Sequence, residues 1–271
     1  MEEAKPATKK PEAEWQLPPD ALQPAIAPFD ADQAKQHQQA WAEYLGVPVE
    51  ITNSIGMKMM LIPPGEFMMG SRYSGPQHKV RITKPFYLGV CEVTQAEYAK
   101  VMRENLSKFK AAANPVDQVS WDDAVEFCKK LSAKEGKTYR LPTETEWEYA
   151  CRAGTTTRFS FGDDLASLGD YAWYRDNSDQ KTHPVGAKKP NAWGLHDMHG
   201  NMREWCAGWY YYAVSPTDDP PGPETGTNRV LRGGSWRYSA LICRAADRHG
   251  FMPGARFDDL GFRVAADLSG E

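Results

Sequence analysis

The sequence predicts one irregular α+β domain that extends from about residue 47 to residue 267. Short apolar runs separated by Pro- and Gly-rich turns come first, and a few helix starts follow them. A long stretch from residue 155 to residue 230 then shows no regular period. Strands and helices do not alternate, so a parallel α/β sheet is not expected. A chain of 271 residues with 41% apolar residues can bury a substantial core.

The N-terminal region divides into two parts. Residues 1–30 are rich in Pro, Ala, Lys and Glu and poor in large apolar side chains, so they predict a disordered tail. Residues 31–46 predict a helical lead-in that ends at Gly46, with Trp41, Tyr44 and Leu45 on one side.

The body of the domain begins with strands and continues with helices. The predicted strands are Met57–Ile62, Glu66–Met69, Val80–Ile82 and Phe86–Val90, with short strands returning at Val230–Leu231 and Gly261–Ala265. Capping-box spacing, in which an acid follows a Ser or Thr by three residues, predicts three helix starts. These pairs are Thr94 with Glu97, Ser120 with Asp123, and Thr143 with Glu146. Most of the tryptophans are expected in the core, because loop-rich folds need large buried side chains.

Composition excludes several classes of function. A formal net charge of -4 gives no strong field towards nucleic acid or anionic membranes. No stretch approaches the roughly 18–20 apolar residues of a membrane span, and the N-terminus does not resemble a signal peptide. We expect a monomer with no nucleic-acid partner and no membrane span, in a compartment that the sequence does not indicate.

The five cysteines are odd in number, widely spaced and free of any CxxC pattern. They are Cys91, Cys128, Cys151, Cys206 and Cys243. This distribution favours buried small apolar residues over a disulfide framework or a zinc site.

A set of motifs occurs in a fixed order along the predicted domain. They include Ile62-Pro63-Pro64-Gly65-Glu66-Phe67, Glu92-Val93-Thr94, Tyr139-Arg140-Leu141-Pro142-Thr143-Glu144, Gly200-Asn201 with Glu204-Trp205, Leu231-Arg232-Gly233-Gly234-Ser235-Trp236 and Gly261-Phe262-Arg263. Together they resemble the formylglycine-generating-enzyme, or sulfatase-modifying-factor, family. The resemblance implies a C-type-lectin-like fold with little regular secondary structure, in a family that contains oxidases, iron-dependent sulfoxide synthases and proteins that only bind.

The oxidases of this family use two cysteines shortly after the Arg-Gly-Gly-Ser motif to hold copper(I), a soft ion that prefers thiolates. Here the stretch after Ser235 contains only Cys243, which matches a later structural position better. Cys243 is therefore a weak catalytic candidate, and copper is not expected. An oxidoreductase that converts a sulfatase cysteine to formylglycine stays open as the alternative.

Two further transition-metal sites are disfavoured. The iron-dependent relatives place their ligands on an additional helical domain, and the residues that precede this domain are too few to form one. His196 and His199 lie on a Gly-bounded loop with neither helical nor finger spacing, so we expect their nitrogens to bond backbone or solvent.

Calcium is the ion that the resemblance supports. In the family, side-chain and carbonyl oxygens surround it in the segment that matches Asp197, Gly200, Met202 and Glu204, and a hard cation prefers such an all-oxygen set. The other interpretation is that Asp197 and Glu204 only cap backbone amides. A second calcium site near Asp176 and Asn177 is a weaker expectation.

The segment from residue 236 to residue 259 alternates fixed-looking positions with clusters that show no period. It is similar to the variable region of diversity-generating-retroelement proteins, although a solvated loop of a degenerate enzyme fits equally well. Its amphipathic and cationic side chains are of the kind that dominate recognition surfaces. The candidate ligand-binding residues are Trp236, Arg237, Tyr238, Leu241, His249, Phe251, Arg256 and Phe257.

Three functions follow from these observations. The leading one is a non-catalytic module that binds a protein or a glycan-like ligand through residues 236–259 and is held in shape by structural calcium. The second is an oxidoreductase with a rearranged site. The third is a sensor module attached to a larger signalling or secreted protein.

Overall fold

The computed structural model describes residues 22–211 and 218–268, and in this range the predicted α+β class is confirmed. The strands are β1 Ala25–Ile26, β2 Glu50–Thr52, β3 Lys58–Ile62, β4 Gly65–Ser71, β5 Gly75–Ile82, β6 Phe86–Gly89, β7 Tyr139–Arg140, β8 Arg203–Trp209, β9 Arg229–Arg232, β10 Arg248–Phe251, β11 Leu260–Gly261 and β12 Ala265–Asp267. The helices are α1 Ala31–Leu45, α2 Gln95–Met102, α3 Trp121–Glu135, α4 Glu144–Arg152 and the short α5 Leu168–Tyr171. No helix of the described ranges is long and apolar enough to cross a membrane.

The strands form three small sheets. One contains β2, β3, β6, β12 and β7 in that order, the second β1, β4 and β5, and the third β10, β9, β8 and β11. Strand β12 pairs antiparallel with both β6 and β7, which places Ala265 between Leu88 and Arg140. Strand β12 therefore links β7 to the other strands of the largest sheet.

All three predicted capping boxes are confirmed. At the start of α2 the amide of Thr94 donates to Glu97 Oε2 (2.8 Å), and the amide of Glu97 donates back to Thr94 Oγ1 (3.2 Å). The same reciprocal pair opens α3 at Ser120 and α4 at Thr143. Each box satisfies two amides that the first helical turn leaves without partners, and so it fixes where the helix begins.

The third sheet contains a strand where the sequence predicted only loop, between residues 155 and 230. Strand β8 lies inside that stretch, and its first four residues are buried. The prediction failed because Arg203 and Glu204 are charged, which hides the apolar pattern of a buried strand. Both charges are compensated inside the protein, by Asp259 and Arg263.

The residues that precede the domain also differ from the predicted tail. Residues 1–21 lie outside the described range, but β1 pairs in parallel with β4 through Ala25 and Gly65. Phe29 is buried, and its amide donates to Gly154 O (3.1 Å). The lead-in helix is observed as α1, in which Trp41 is buried and the half-exposed Tyr44 ring packs edge-on against it at 5.5 Å.

Tryptophan burial follows the sequence prediction. Trp147, Trp193, Trp205 and Trp236 are buried, and the buried apolar residues form two large clusters and a small third one that contains Cys243. Four of the five cysteines are buried as well, and Cys91 is partly exposed. The interior of the described residues thus consists of separate apolar clusters.

Candidate functional site

A tight turn at Gly233 and Gly234 leads from β9 into residues 236–259. Both glycines have positive φ angles, 98° and 71°. A Cβ atom on Gly234 would lie 2.7 Å from Cys243 Sγ and 2.9 Å from Cys243 Cα, so the chain folds closely back on Cys243. Only glycine fits both the conformation and the space.

Four of the candidate ligand-binding residues cluster around Arg203. Its guanidinium carbon lies 4.9 Å from the ring centroid of Tyr238 and 5.1 Å from that of Phe251. The Tyr238 ring stacks against His249 at 6.2 Å, and the Phe251 ring meets Phe257 edge-on at 5.3 Å. We call these four side chains the aromatic surface. A buried cation at their centre holds the two ring pairs together.

Arg203 was not identified from the sequence, because it lies in a strand that the sequence hides. It is buried and pairs with Asp259 (Nη2 to Oδ2, 3.0 Å). A buried arginine that is neutralised by a buried aspartate keeps a fixed orientation, so the rings above it have a rigid support.

The remaining candidate residues have different positions. Trp236 is buried and its indole donates to Asp258 O (3.1 Å), so it supports the surface from below. Arg237 is exposed and binds Asp258 Oδ1 (2.7 Å). Arg256 is bound to Asp123 at the start of α3 (2.9 Å). Leu241, 49% exposed, lies on a 3-10 turn and contributes no ring to the aromatic surface.

Cys243 is enclosed by protein. Its Sγ atom contacts Ser239 O (3.8 Å), and burial raises the pKa of the thiol to about 12. Because the thiolate is both the nucleophile and the metal ligand, a neutral buried thiol is a poor candidate for either role.

The two histidines at the Asp197 loop bind backbone groups. His199 Nε2 accepts from the Ser160 amide (3.0 Å), so Nδ1 carries the proton and donates to Cys243 O (2.9 Å). Burial lowers the pKa of His199 to about 4, which keeps the ring neutral. His196 Nδ1 lies 2.7 Å from Lys188 O. Both rings therefore act as structural links between loops.

Glu204, from the expected calcium set, is already strongly bonded. Arg263 donates to both of its oxygens at 2.7 Å, and the Trp147 indole donates to Oε2 at 2.7 Å. Gly200 and Met202, which precede Glu204 in the chain, are also buried. The Gly200 carbonyl accepts a hydrogen bond from the Met202 amide (2.7 Å).

Asp197 and Glu92 have unsatisfied oxygens in the same region. Asp197 Oδ2 accepts from the Gly186 amide (2.7 Å), whereas Oδ1 and both oxygens of Glu92 are buried without a hydrogen-bond partner. Burial, and then the mutual repulsion of the neighbouring carboxylates, raises the pKa of Glu92 well above its usual range. Burial also raises the pKa of Asp197. Three buried carboxylates thus lie near one buried arginine, Arg263.

A hard cation would offset the negative charge of this arrangement, because buried carboxylates without a full counter-charge are costly. In the described ranges no three His, Cys, Asp or Glu side chains are arranged to hold a metal. The expected calcium set contains only two side chains and completes its shell with carbonyl oxygens. Asn177, near the weaker second site, uses its side chain to bind Tyr174 N (2.8 Å) and Ala172 O (2.9 Å).

Comparison with protein families identifies the class to which this fold belongs. Residues 47–268 match the family described as "Sulfatase-modifying factor enzyme 1-like domain". The chain belongs to this family, and the resemblance drawn from its motifs is confirmed. The match begins immediately after α1, so the packed residues 22–46 lie outside the shared domain.

Individual relatives include both enzymes and other proteins. A formylglycine-generating enzyme of Streptomyces coelicolor is 41% identical over 172 residues, which cover 57% of this chain and 53% of the enzyme. Treponema denticola variable protein 1 superposes with a TM-score of 0.78 at 34% identity, over 82% of this chain and 100% of that one. PvdO from Pseudomonas aeruginosa superposes with a TM-score of 0.74 at 30% identity, over 81% and 98%. The chain spans about half the length of these curated enzymes. The structural likeness to the solved relatives confirms the predicted C-type-lectin-like fold.

Proposed function

We propose that this chain is a non-catalytic member of its family that binds a macromolecular partner through residues 236–259. The observation that carries this proposal is the single thiol after the Gly233-Gly234 turn. Copper(I) chemistry of the family type needs two thiolates at one point, whereas Cys243 is alone in this segment, buried and neutral.

The aromatic surface supports a binding role. Tyr238, His249 and Phe251 are partly exposed, and Phe257 is 40% exposed, so their rings can contact a partner. Rigid aromatic side chains lose little conformational entropy on binding, and the Arg203–Asp259 pair below them orders the surface in advance. The likeness to a Treponema variable protein is compatible with this role. A protein or a glycan-like ligand is the proposed partner.

We further propose that calcium stabilises the loop that contains Asp197, Gly200, Met202 and Glu204. The support is the excess of buried carboxylates over arginines and the unpartnered Asp197 Oδ1. When bound, calcium supplies positive charge and links to backbone oxygens. The protein's own contribution is the rigid placement of Glu204 by Arg263 and Trp147.

Binding is tested by screening immobilised peptides, proteins and glycans with the full chain. We expect the hits to lose about tenfold or more in affinity with Tyr238→Ala and with Phe257→Ala, because central aromatic side chains dominate interfaces. Tyr44→Ala is the matched control, because Tyr44 is an exposed aromatic residue on α1, outside residues 236–259, and this variant should bind normally. Equal binding by all three variants would contradict the use of this surface.

The enzyme alternative is tested separately with copper(I) and a peptide that contains Cys-x-Pro-x-Arg. The proposal expects no formylglycine and no oxygen uptake by the wild-type chain. Turnover that Cys243→Ser abolishes would establish the oxidoreductase instead. For calcium, the melting temperature should fall when a chelator is added and recover with excess calcium, since a ligand that binds only the folded state stabilises it.

A further inference from the structure

A cavity lies away from the aromatic surface, where the β4–β5 turn meets the chain that follows α4. Its volume is about 220 Å³, below the ~300–1,000 Å³ of pockets that enclose drug-sized ligands. It is lined by Arg72, Tyr73, Arg152, Arg158, Asp163 and Arg244, together with small and polar residues. We call it the arginine pocket. Four guanidinium groups and a single carboxylate line it.

Arg152 forms the buried part of this pocket and is fully engaged. It pairs with buried Glu148 (2.8 Å) and donates to Thr157 O and Gly70 O, both at 3.1 Å. These bonds connect the β4–β5 turn to the loop after α4. Arg152 therefore fixes the shape of the pocket rather than offering free donors to a ligand.

The other three arginines retain binding capacity. Arg72 has no carboxylate partner among the described residues, and its guanidinium carbon lies 4.6 Å from the Tyr73 ring centroid. Arg244 lies 5.1 Å from the same ring and uses Nη2 to bind Asp247 (2.7 Å). Arg158 approaches Asp163 only at 3.9 Å, with both groups exposed to solvent. Tyr73 thus holds two like-charged guanidinium groups at one pocket.

Like charges held together in a partly enclosed space repel each other unless an anion joins them. The guanidinium group of arginine is planar, and two of its N–H groups can donate to two oxygens of the same tetrahedral oxyanion. Ser71 and Thr156 also line the pocket, and a hydroxyl group can donate a hydrogen bond to such an anion. The small volume suits one charged group of a larger ligand, with the rest of that ligand outside the pocket.

We propose that the arginine pocket binds the tetrahedral oxyanion of a phosphate or sulfate ester. Arg72 and Arg244 contact it from the Tyr73 side, Arg158 contributes longer-range attraction, and Arg152 maintains the pocket. Arg244 and Ala246 also belong to residues 236–259, so a ligand in this pocket touches the proposed binding segment. The proposal does not require that the aromatic surface binds anything.

The test is calorimetric titration of the full chain with inorganic phosphate and, separately, inorganic sulfate at low ionic strength. We expect saturable one-site binding that Arg72→Gln weakens about tenfold, since charge-assisted hydrogen bonds are lost. Arg175→Gln is the matched control, because Arg175 is an exposed arginine outside the pocket. Tighter binding of phosphate assigns the site to phosphate esters, and tighter binding of sulfate assigns it to sulfate esters.

Two results would overturn the proposal. One is the absence of saturable binding for both anions. The other is equal binding by Arg72→Gln and Arg175→Gln, which would indicate general attraction to surface charge. Arg244→Gln should also weaken binding, but it removes the ion pair with Asp247. Arg72, which is exposed and forms no ion pair in the described residues, provides the variant whose fold is least affected.

Discussion

Arg263 and Glu204 form a two-bond ion pair in the interior, with Arg263 Nε and Nη2 each 2.7 Å from a carboxylate oxygen of Glu204. Neither side chain has any exposed surface. Arg263 also donates to Gly89 O (2.9 Å) and His196 O (2.9 Å), so the pair connects β8 with the end of β6 and with the Asp197 loop. The Gly-Phe-Arg motif is thus a structural junction as well as a family signature.

The first prediction concerns this pair. Glu204→Gln should lower the free energy of unfolding by about 3–5 kcal/mol, because Arg263 loses the carboxylate that accepts two of its hydrogen bonds, and neither Glu92 nor Asp197 is hydrogen-bonded to it. Urea denaturation measures the change, with chelator present so that calcium does not contribute. Glu50→Gln, which breaks an exposed pair with Lys58, is the control and should cost under about 1 kcal/mol. Equal effects of the two substitutions would show that the buried pair adds nothing.

The second prediction concerns pH and Asp117. Its Oδ1 accepts from the Lys108 amide (2.7 Å), its Oδ2 is buried without a partner, and burial raises its pKa from 3.8 to about 6. Between pH 4 and pH 6 the folded state binds a proton that the unfolded state has lost, so this group makes stability fall as pH rises. Below pH 4 the carboxyl group is protonated in both states and contributes no difference.

Asp117→Asn removes this titration. The stability of the variant relative to the wild type should therefore increase from pH 4 to pH 7, as measured by urea denaturation at both values. A difference that stays constant, or that moves in the opposite direction, would mean that Asp117 ionises normally in the folded protein.

The sequence predicted those elements whose signal is local. The capping boxes at Thr94, Ser120 and Thr143 could be predicted because each depends on two residues that are three positions apart in the chain. Strands β3 to β6 were readable from apolar runs between turn residues. Family motifs then supplied the fold, which local patterns alone could not give.

The candidate site was predictable only in part, because it depends on contacts between distant residues. Tyr238 and Phe251 could be named from residue type, but their link through Arg203 requires knowing that β8 lies beneath them. The arginine pocket likewise joins Arg72 to Arg244, which are far apart in the chain. Sequence patterns relate residues a few positions apart, so they cannot show that residues distant in the chain are in contact.

The third prediction concerns Arg229, which lies between two tryptophans. Its guanidinium carbon is 3.7 Å from the ring centroid of Trp121 and 3.4 Å from that of Trp209. Lysine keeps the charge but cannot stack a planar group between two rings, so Arg229→Lys should cost about 0.5–2 kcal/mol. Urea denaturation followed by tryptophan fluorescence measures the loss. Arg175→Lys, at an exposed position, is the control, and an equal effect of the two would exclude a stabilising stack.

The fourth prediction tests whether residues 22–46 are an integral part of the folded unit. Gly154 follows α4 with a φ of +94°, and a Cβ there would overlap the Phe29 ring and lie 2.7 Å from Phe29 O. Gly154→Ala should therefore cost about 3 kcal/mol or more, combining backbone strain with displacement of a buried ring. Gly136→Ala is the matched control, because Gly136 also has a positive φ of +65° but open space around it. It should cost only about 1–2 kcal/mol.

The double variant with Phe29→Ala separates the two causes. If the Phe29 ring is what Gly154 accommodates, the combined loss should be smaller than the sum of the single losses, because removing the ring relieves the overlap. Equal costs at Gly154 and Gly136 would instead mean that Phe29 does not pack there in solution. In that case residues 22–46 would be a separate lead-in, and the folded unit would begin where the family match begins, at residue 47.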